Sequence, residues 1–161
     1  MQNIDLICIG KMNAKYFAEG VAEYQKRLAA FAAFRIIELP EEKIEEKNAS
    51  DAVVKKALEK EGKAILSNVR KGAAIVAMCI EGGTLSSEQF ADKLSKWMGS
   101  GVSHISVLIG GSCGLDESLK KSAQLRLSMS PMTFPHHLAR VMVLEQLYRA
   151  LNIASGGKYH K

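Results

Sequence analysis

The sequence predicts an α/β fold built on a mainly parallel sheet. Three observations lead there. Short apolar runs alternate along the chain with longer segments whose apolar residues recur at helical spacing. Two of those runs, residues 73–80 and 105–109, are almost continuously apolar, which marks strands covered on both faces. Both run into glycine pairs, Gly82-Gly83 and Gly110-Gly111, where a strand would leave the sheet in a tight turn.

The elements follow in order. Residues 4–9 form a buried strand ended by Gly10. Phe17, Val21, Tyr24 and Leu28 then share one helical face. Residues 34–39 alternate weakly up to Pro40 as a second strand, and the charged stretch 41–48 reads as a mobile connection. Ser50 is placed to cap a helix from Asp51 that carries Val54, Leu58, Ile65 and Leu66 and ends near Gly72. After the central strand, Glu81-Gly82-Gly83 turns the chain. Ser86 and Gln89 have capping-box spacing ahead of Phe90, Leu94, Trp97 and Met98, and Gly99 and Gly101 close that helix. A short helix starts near Asp116, residues 125–129 make a last strand, and a long helix runs from Pro135 to Ile153. No repeat or linker divides the chain, so residues 1–161 read as a single domain.

Charge is unevenly distributed. The chain has 22 Lys and Arg against 17 Asp and Glu, yet from Ser118 onward seven cations face a single acid, Glu145. All of the net positive charge therefore belongs to the C-terminal quarter. Such a field favours a polyanion such as RNA through counterion release, though a solvated basic face has the same composition. No run is apolar for long enough to span a bilayer, and the first residues lack the pattern of a signal peptide, so a cytoplasmic location is expected. Cys8, Cys79 and Cys113 have no metal-ligand spacing; the first two sit in apolar runs and read as core thiols. No metal is expected.

In sheets of this class, ligands bind beyond the carboxyl ends of the strands. The loops after Ile80, Ile109 and Met129 are the candidates. Gly110 and Gly111 permit close backbone approach to a ligand, or simply a tight turn. Cys113 as a nucleophile would make the chain a hydrolase-like enzyme, but no spacing supplies a base. In the last helix the apolar arc is wide enough to be covered on two sides, by a second subunit or by neighbouring elements of the same chain. Arg140, one turn from His136 and His137, suits a phosphate or a structural carbonyl partner. Tyr159 and His160 offer a stacking face and a proton carrier, while the glycines before them suggest a frayed end.

Taken together, residues 110–115, the stretch 127–136, Arg140-Val141, residues 144–150 and the terminal Tyr159-His160-Lys161 resemble the RlmH family of SPOUT RNA methyltransferases. The likeness extends to residues 7–11 and 22–28, and so covers nearly the whole chain. It implies the SPOUT methyltransferase fold with a C-terminal trefoil knot, which general rules of chain threading would not have suggested. It implies S-adenosyl-L-methionine as cofactor, held by Met78, Gly110, Met129, Ser130, Pro131, Met132, Thr133 and Phe134. It implies methylation of N3 of a pseudouridine in bacterial 23S rRNA, on assembled ribosomes, by a homodimer in which the tail of one subunit completes the other's site. Arg140, Tyr159 and His160 are then the catalytic candidates: Arg140 for phosphate or developing charge, Tyr159 for the base, His160 as proton acceptor. Met78, Pro131 and Lys158 depart from the family's commoner Leu, polar or basic residue, and Pro. A different target nucleotide on the same fold, or a non-catalytic ribosome- or RNA-binding protein, are the alternatives.

Overall fold

The computed structural model describes residues 2–45, 47 and 49–161. Among them strands and helices alternate as β1 (Gln2–Ile9), α1 (Lys15–Leu28), β2 (Ala32–Leu39), α2 (Asp51–Asn68), β3 (Ala74–Gly83), α3 (Ser87–Gly99), β4 (His104–Ile109), α4 (Glu117–Ser122), β5 (Leu125–Leu127) and α5 (His136–Ala154). Every pairing of the five strands is parallel, in the order β2-β1-β4-β3-β5. The expected class is therefore observed, with β1, β4 and β3 at its centre.

Strand alternation sorts the core into two layers. On one face Ile4, Leu6 and Cys8 of β1 join Val76, Val107 and the buried sides of α1, α3 and α5. On the other, Ile7 and Ile9 meet Ile65 of α2 and Leu115 and Leu119 at α4. Burial pushes the Cys8 thiol up to about 12, so it packs as an apolar side chain. Cys79 differs from the core thiol its sequence context suggested: it is only half-buried, near the end of β3.

Local signals explain the helix starts. Ser50 accepts the Val53 N–H at 3.3 Å. Ser86 and Gln89 close a reciprocal capping box at 3.1 and 2.8 Å. Three boundaries differ from expectation. Helix α2 stops at Asn68, because Val69 turns extended and Gly72 takes a positive φ of 80° in the following turn. Strand β3 continues through Glu81-Gly82-Gly83 where a turn was expected. Gly82 allows this, since a Cβ there would lie 2.8 Å from the Arg126 carbonyl. Both Met78 and Gly83 consequently face Leu127 across an irregularity, and β5 ends at Leu127 instead of Met129.

The connection 41–48 is less free than its charge suggested. Glu42 donates its N–H to Glu61 at 2.9 Å and pairs with Lys60, while Glu41 reaches to Ser112. Residues 46 and 48 of that stretch lie outside the described residues. Helix α5 packs between α1 and α3, with Leu144, Leu147 and Ala150 fully buried. Its wide apolar arc is thus covered largely from within the chain.

Candidate active site

A cavity of about 720 Å³ opens where the chain leaves β3, β4 and β5. That is a volume suited to a nucleoside-sized ligand. Seven of the eight expected cofactor residues line it: Met78, Gly110, Met129, Ser130, Met132, Thr133 and Phe134. Pro131 is exposed and does not. The wall also includes Glu81, from the candidate loop after Ile80, and Cys79, Lys120 and His136, which were not among the expected cofactor residues.

The walls are made mostly of backbone and apolar side chains. Gly110 must lack a Cβ, because one would run into the Gly114 carbonyl as the loop folds back. The return is fixed by the Gly114 N–H donating to Gly111 at 3.1 Å, with Gly114 at a φ of 81°. Across the cavity, the Ser128 hydroxyl donates to the Ser130 carbonyl at 3.0 Å, and the Ser130 hydroxyl accepts the Met132 N–H at 3.1 Å. These bonds curl the segment from Ser128 to Met132. Met132, 72% exposed, stands at the mouth. Soft thioether side chains at Met78, Met129 and Met132 suit an aromatic or adenosyl surface.

Glu41 fixes the glycine loop from outside. Its Oε1 accepts the Ser112 hydroxyl at 2.6 Å and the Ser112 N–H at 3.1 Å. A Cβ at Gly111 would lie only 2.8 Å from that oxygen. The Ser112 bonds, then the charges of His136 and His137, hold Glu41 below its ordinary carboxylate range. His136 begins α5 on the cavity wall. Burial, with the neighbouring His137 and Arg140, lowers its pKa, against an upward pull from Glu41. Lys120 is buried and ion-paired with Glu81 and Glu117; the Lys120 bond keeps Glu81 below its usual value.

Arg140 is elsewhere. It is 1% exposed, and it donates to Glu38 at 2.6 Å and to the Gly10 carbonyl at 3.0 Å. It lines a separate cavity of about 300 Å³ with Gln25 and Glu38, and its buried Nε has no hydrogen-bond partner among the described residues. Within the chain its partners are a carboxylate, Glu38, and a backbone carbonyl, Gly10.

The tail is ordered. The Asn152 carbonyl accepts the Gly157 N–H at 2.8 Å, and the Asn152 side chain accepts the Tyr159 N–H at 3.1 Å. The Tyr159 ring meets Tyr148 edge-on at 4.7 Å, lies under the Arg149 guanidinium, and its hydroxyl donates to Glu145 at 3.1 Å. His160 sits between Arg149 and Glu88, at 3.2 and 2.7 Å. Because α5 rises about 1.5 Å per residue, the Arg149 anchorage lies roughly 20 Å along the helix from His136. Within one chain the tail and the cavity are therefore separate.

Cys113 is exposed on the glycine loop, and no imidazole hydrogen-bonds its sulfur among the described residues. Nor do three His, Cys, Asp or Glu side chains converge there as a metal site.

Comparison with known proteins identifies the family. A family model described as "Predicted SPOUT methyltransferase" matches residues 2–160. The chain is 47% identical over 159 residues to a Bifidobacterium animalis subsp. lactis protein named ribosomal RNA large subunit methyltransferase H, covering 99% of each. A Listeria monocytogenes protein of the same name is 43% identical, again covering 99% of each. Among solved structures, a probable methylase family protein from Haemophilus influenzae matches at a TM-score of 0.54 and 13% identity, over 99% of this chain and 71% of that one. The last likeness speaks to the fold.

Proposed function

The chain belongs to the SPOUT methyltransferase family, and from that premise we propose that it methylates N3 of a pseudouridine in bacterial 23S rRNA. S-adenosyl-L-methionine would supply the methyl group as an electrophilic sulfonium substituent. The observation that carries this reading is the convergence of Met78, Gly110 and the 129–134 segment on one cavity, in a chain whose curated relatives are named large-subunit rRNA methyltransferases.

The residues divide the work. The curled 128–132 backbone and the pinned glycine loop hold and orient the cofactor, which accelerates transfer chiefly by positioning. The anionic Glu41 behind the glycine loop and the neutral His136 form an environment that tolerates a sulfonium. Arg140 supports the site from beneath by tying α5 to Gly10 and Glu38. Tyr159, His160 and Lys161 contact the RNA at the cavity of a second copy, since their own cavity is too far along α5. The protein then works as a homodimer in the cytoplasm, on the assembled ribosome. Among the described residues no helix is long and apolar enough to cross a membrane.

Mass spectrometry of 23S rRNA from a deletion strain tests the reading. The methylpseudouridine signal disappears and returns when the gene is restored. An unchanged signal overturns it.

A further inference from the structure

We propose that His136 is the proton acceptor for the RNA base, with Glu41 as the nearby carboxylate that balances it. The inference rests on the methyltransferase reading, because it requires an acidic N–H beside the methyl donor.

Position carries the argument first. His136 lines the donor cavity as the opening residue of α5. Glu41 comes from the connection after β2, and its carboxylate and the His136 ring both approach Gly10. A Cβ at Gly10 would find Glu41 Oε2 at 3.7 Å and His136 Nε2 at 4.0 Å. Carboxylate and imidazole thus border the same space beside Gly10, near enough for the Glu41 charge to act on the ring. Glu41 cannot swing away easily, because its other oxygen is held by the Ser112 hydroxyl and N–H.

The alternatives on the wall are poorly suited. Lys120 is a cation held by two carboxylates. Glu81 is a weakened base, because Lys120 stabilises its charged form. Burial pushes the Cys79 thiol up, away from the thiolate. His160, the imidazole of the tail, has neither nitrogen free. Arg149 can only donate, so Nδ1 accepts from it, and Nε2 therefore bears the ring proton and donates to Glu88. To take a proton from a base, His160 would first have to leave Arg149.

The charges around His136 are suited to a base that starts neutral. Burial, His137 at a ring separation of 4.2 Å and Arg140 one turn on all disfavour the imidazolium, as does the positive end of α5. Glu41, from the opposite element, favours it. The ring is thus neutral at pH 7 and does not repel a sulfonium, and its conjugate acid has a counter-charge waiting. In the reaction N3 loses its proton to His136, and the N3 electron pair forms the new N–CH₃ bond. The C–S pair stays with the donor's sulfur, and the imidazolium later releases its proton to water.

The test uses the full-length protein and ribosomal subunits lacking the modification, in single turnover. His136→Asn should lower the rate by about 100-fold or more, with adenosylmethionine affinity by calorimetry close to the parent's. The parent rate rises from acid pH to a plateau through an inflection below the ordinary histidine value. The variant should lose that inflection and climb log-linearly with pH, since N3 must then ionise unaided. Glu41→Gln keeps the acceptor for Ser112 but removes the charge. In the protein without cofactor, NMR titration of His136 should then show its midpoint moved to lower pH, and the rate inflection should follow. His136→Asn retaining both rate and inflection, with His160→Asn losing them, overturns the assignment. So does loss of cofactor binding in both His136→Asn and His136→Gln, which would make His136 a wall residue. An unmoved midpoint in Glu41→Gln removes Glu41 from the pair. A parent that methylates nothing overturns the methyltransferase reading as well, whereas the other failures leave that reading intact.

Discussion

The two ends of α5 are built by different means. At its N-terminus the cavity is shaped by steric exclusion. Gly110 has no room for a Cβ, Glu41 presses on Gly111, and serines curl the following segment. At its C-terminus the tail is held by side chains that can exchange partners: Asn152, Tyr148, Arg149, Glu145 and the exposed Glu88. The first construction gives one fixed shape. The second is stable enough to order the tail, yet each bond in it can be traded for one to RNA or to a second subunit. A rigid half suits a small cofactor that must be aimed, and an exchangeable half suits a large substrate that arrives with its own shape.

Mixing the two halves gives the largest expected effect. Gly110→Val should abolish measurable adenosylmethionine binding, because its side chain collides with backbone and cannot repack. Tyr159→Ala should leave that binding intact and lower turnover. If the tail acts across a dimer, co-refolded Gly110→Val and Tyr159→Ala chains recover about one quarter of the parental activity, from random pairing with one intact site per mixed dimer. Activity no greater than that of the separate variants places the tail and cavity of one chain together, and the contrast between the two ends collapses.

Next in size is Tyr159→Ala alone. Losing a base-stacking ring should reduce kcat/KM for ribosomes by about 10- to 100-fold, measured beside an unchanged cofactor affinity. A matching loss of cofactor affinity would show that the two ends are not independent.

Ser112→Ala probes the rigid half more gently. It removes one hydrogen bond to Glu41, worth about 1 kcal/mol, and should weaken cofactor binding several-fold. The pH dependence has a definite sign. Glu41 is held below its ordinary value by Ser112, so its grip on the loop is complete above the usual carboxylate range and is lost as pH falls through the lowered value. Cofactor affinity in the parent should thus persist into mild acid and then fail, and in Ser112→Ala it should fail at higher pH. The smallest effect is expected from Glu88→Gln. Faster amide exchange at Tyr159 and His160 would follow, with no change in cofactor affinity; slow exchange as in the parent would show that Glu88 does not hold the tail.

Local features were legible in the sequence. Ser86 and Gln89 announce their capping box, the apolar runs give β1, β3 and β4, and the glycine pair after Ile109 marks the loop that the cavity uses. What escaped depends on contacts distant in sequence. Nothing near Glu41 signals a bond to Ser112, 71 residues away. His136 was grouped with Arg140 through helical spacing, but one lines the large cavity and the other is buried against Gly10. Gly82 was read as a turn because glycine serves both turns and close approaches, and only the strand beside it decides between them. The tail looked frayed because Gly156 and Gly157 are flexible residues, whereas the Ile153 and Asn152 carbonyls hold their N–H groups through bonds that no periodicity encodes.

The short β5, laid against Gly82 and Gly83, also sets the order in which the protein can be completed. Residues 127–136 leave the ribosome after β3, β4 and α4, and with Ala139 and Val143 of α5 they complete the cavity lining. A nascent chain can pair β1 with β2 early, and β3 joins them once β4 has emerged to lie between, but it has no complete cofactor site until that final strand and the start of α5 are added. Cofactor binding is thereby postponed until synthesis is nearly complete, so an early-terminated chain would lack the capacity to sequester adenosylmethionine.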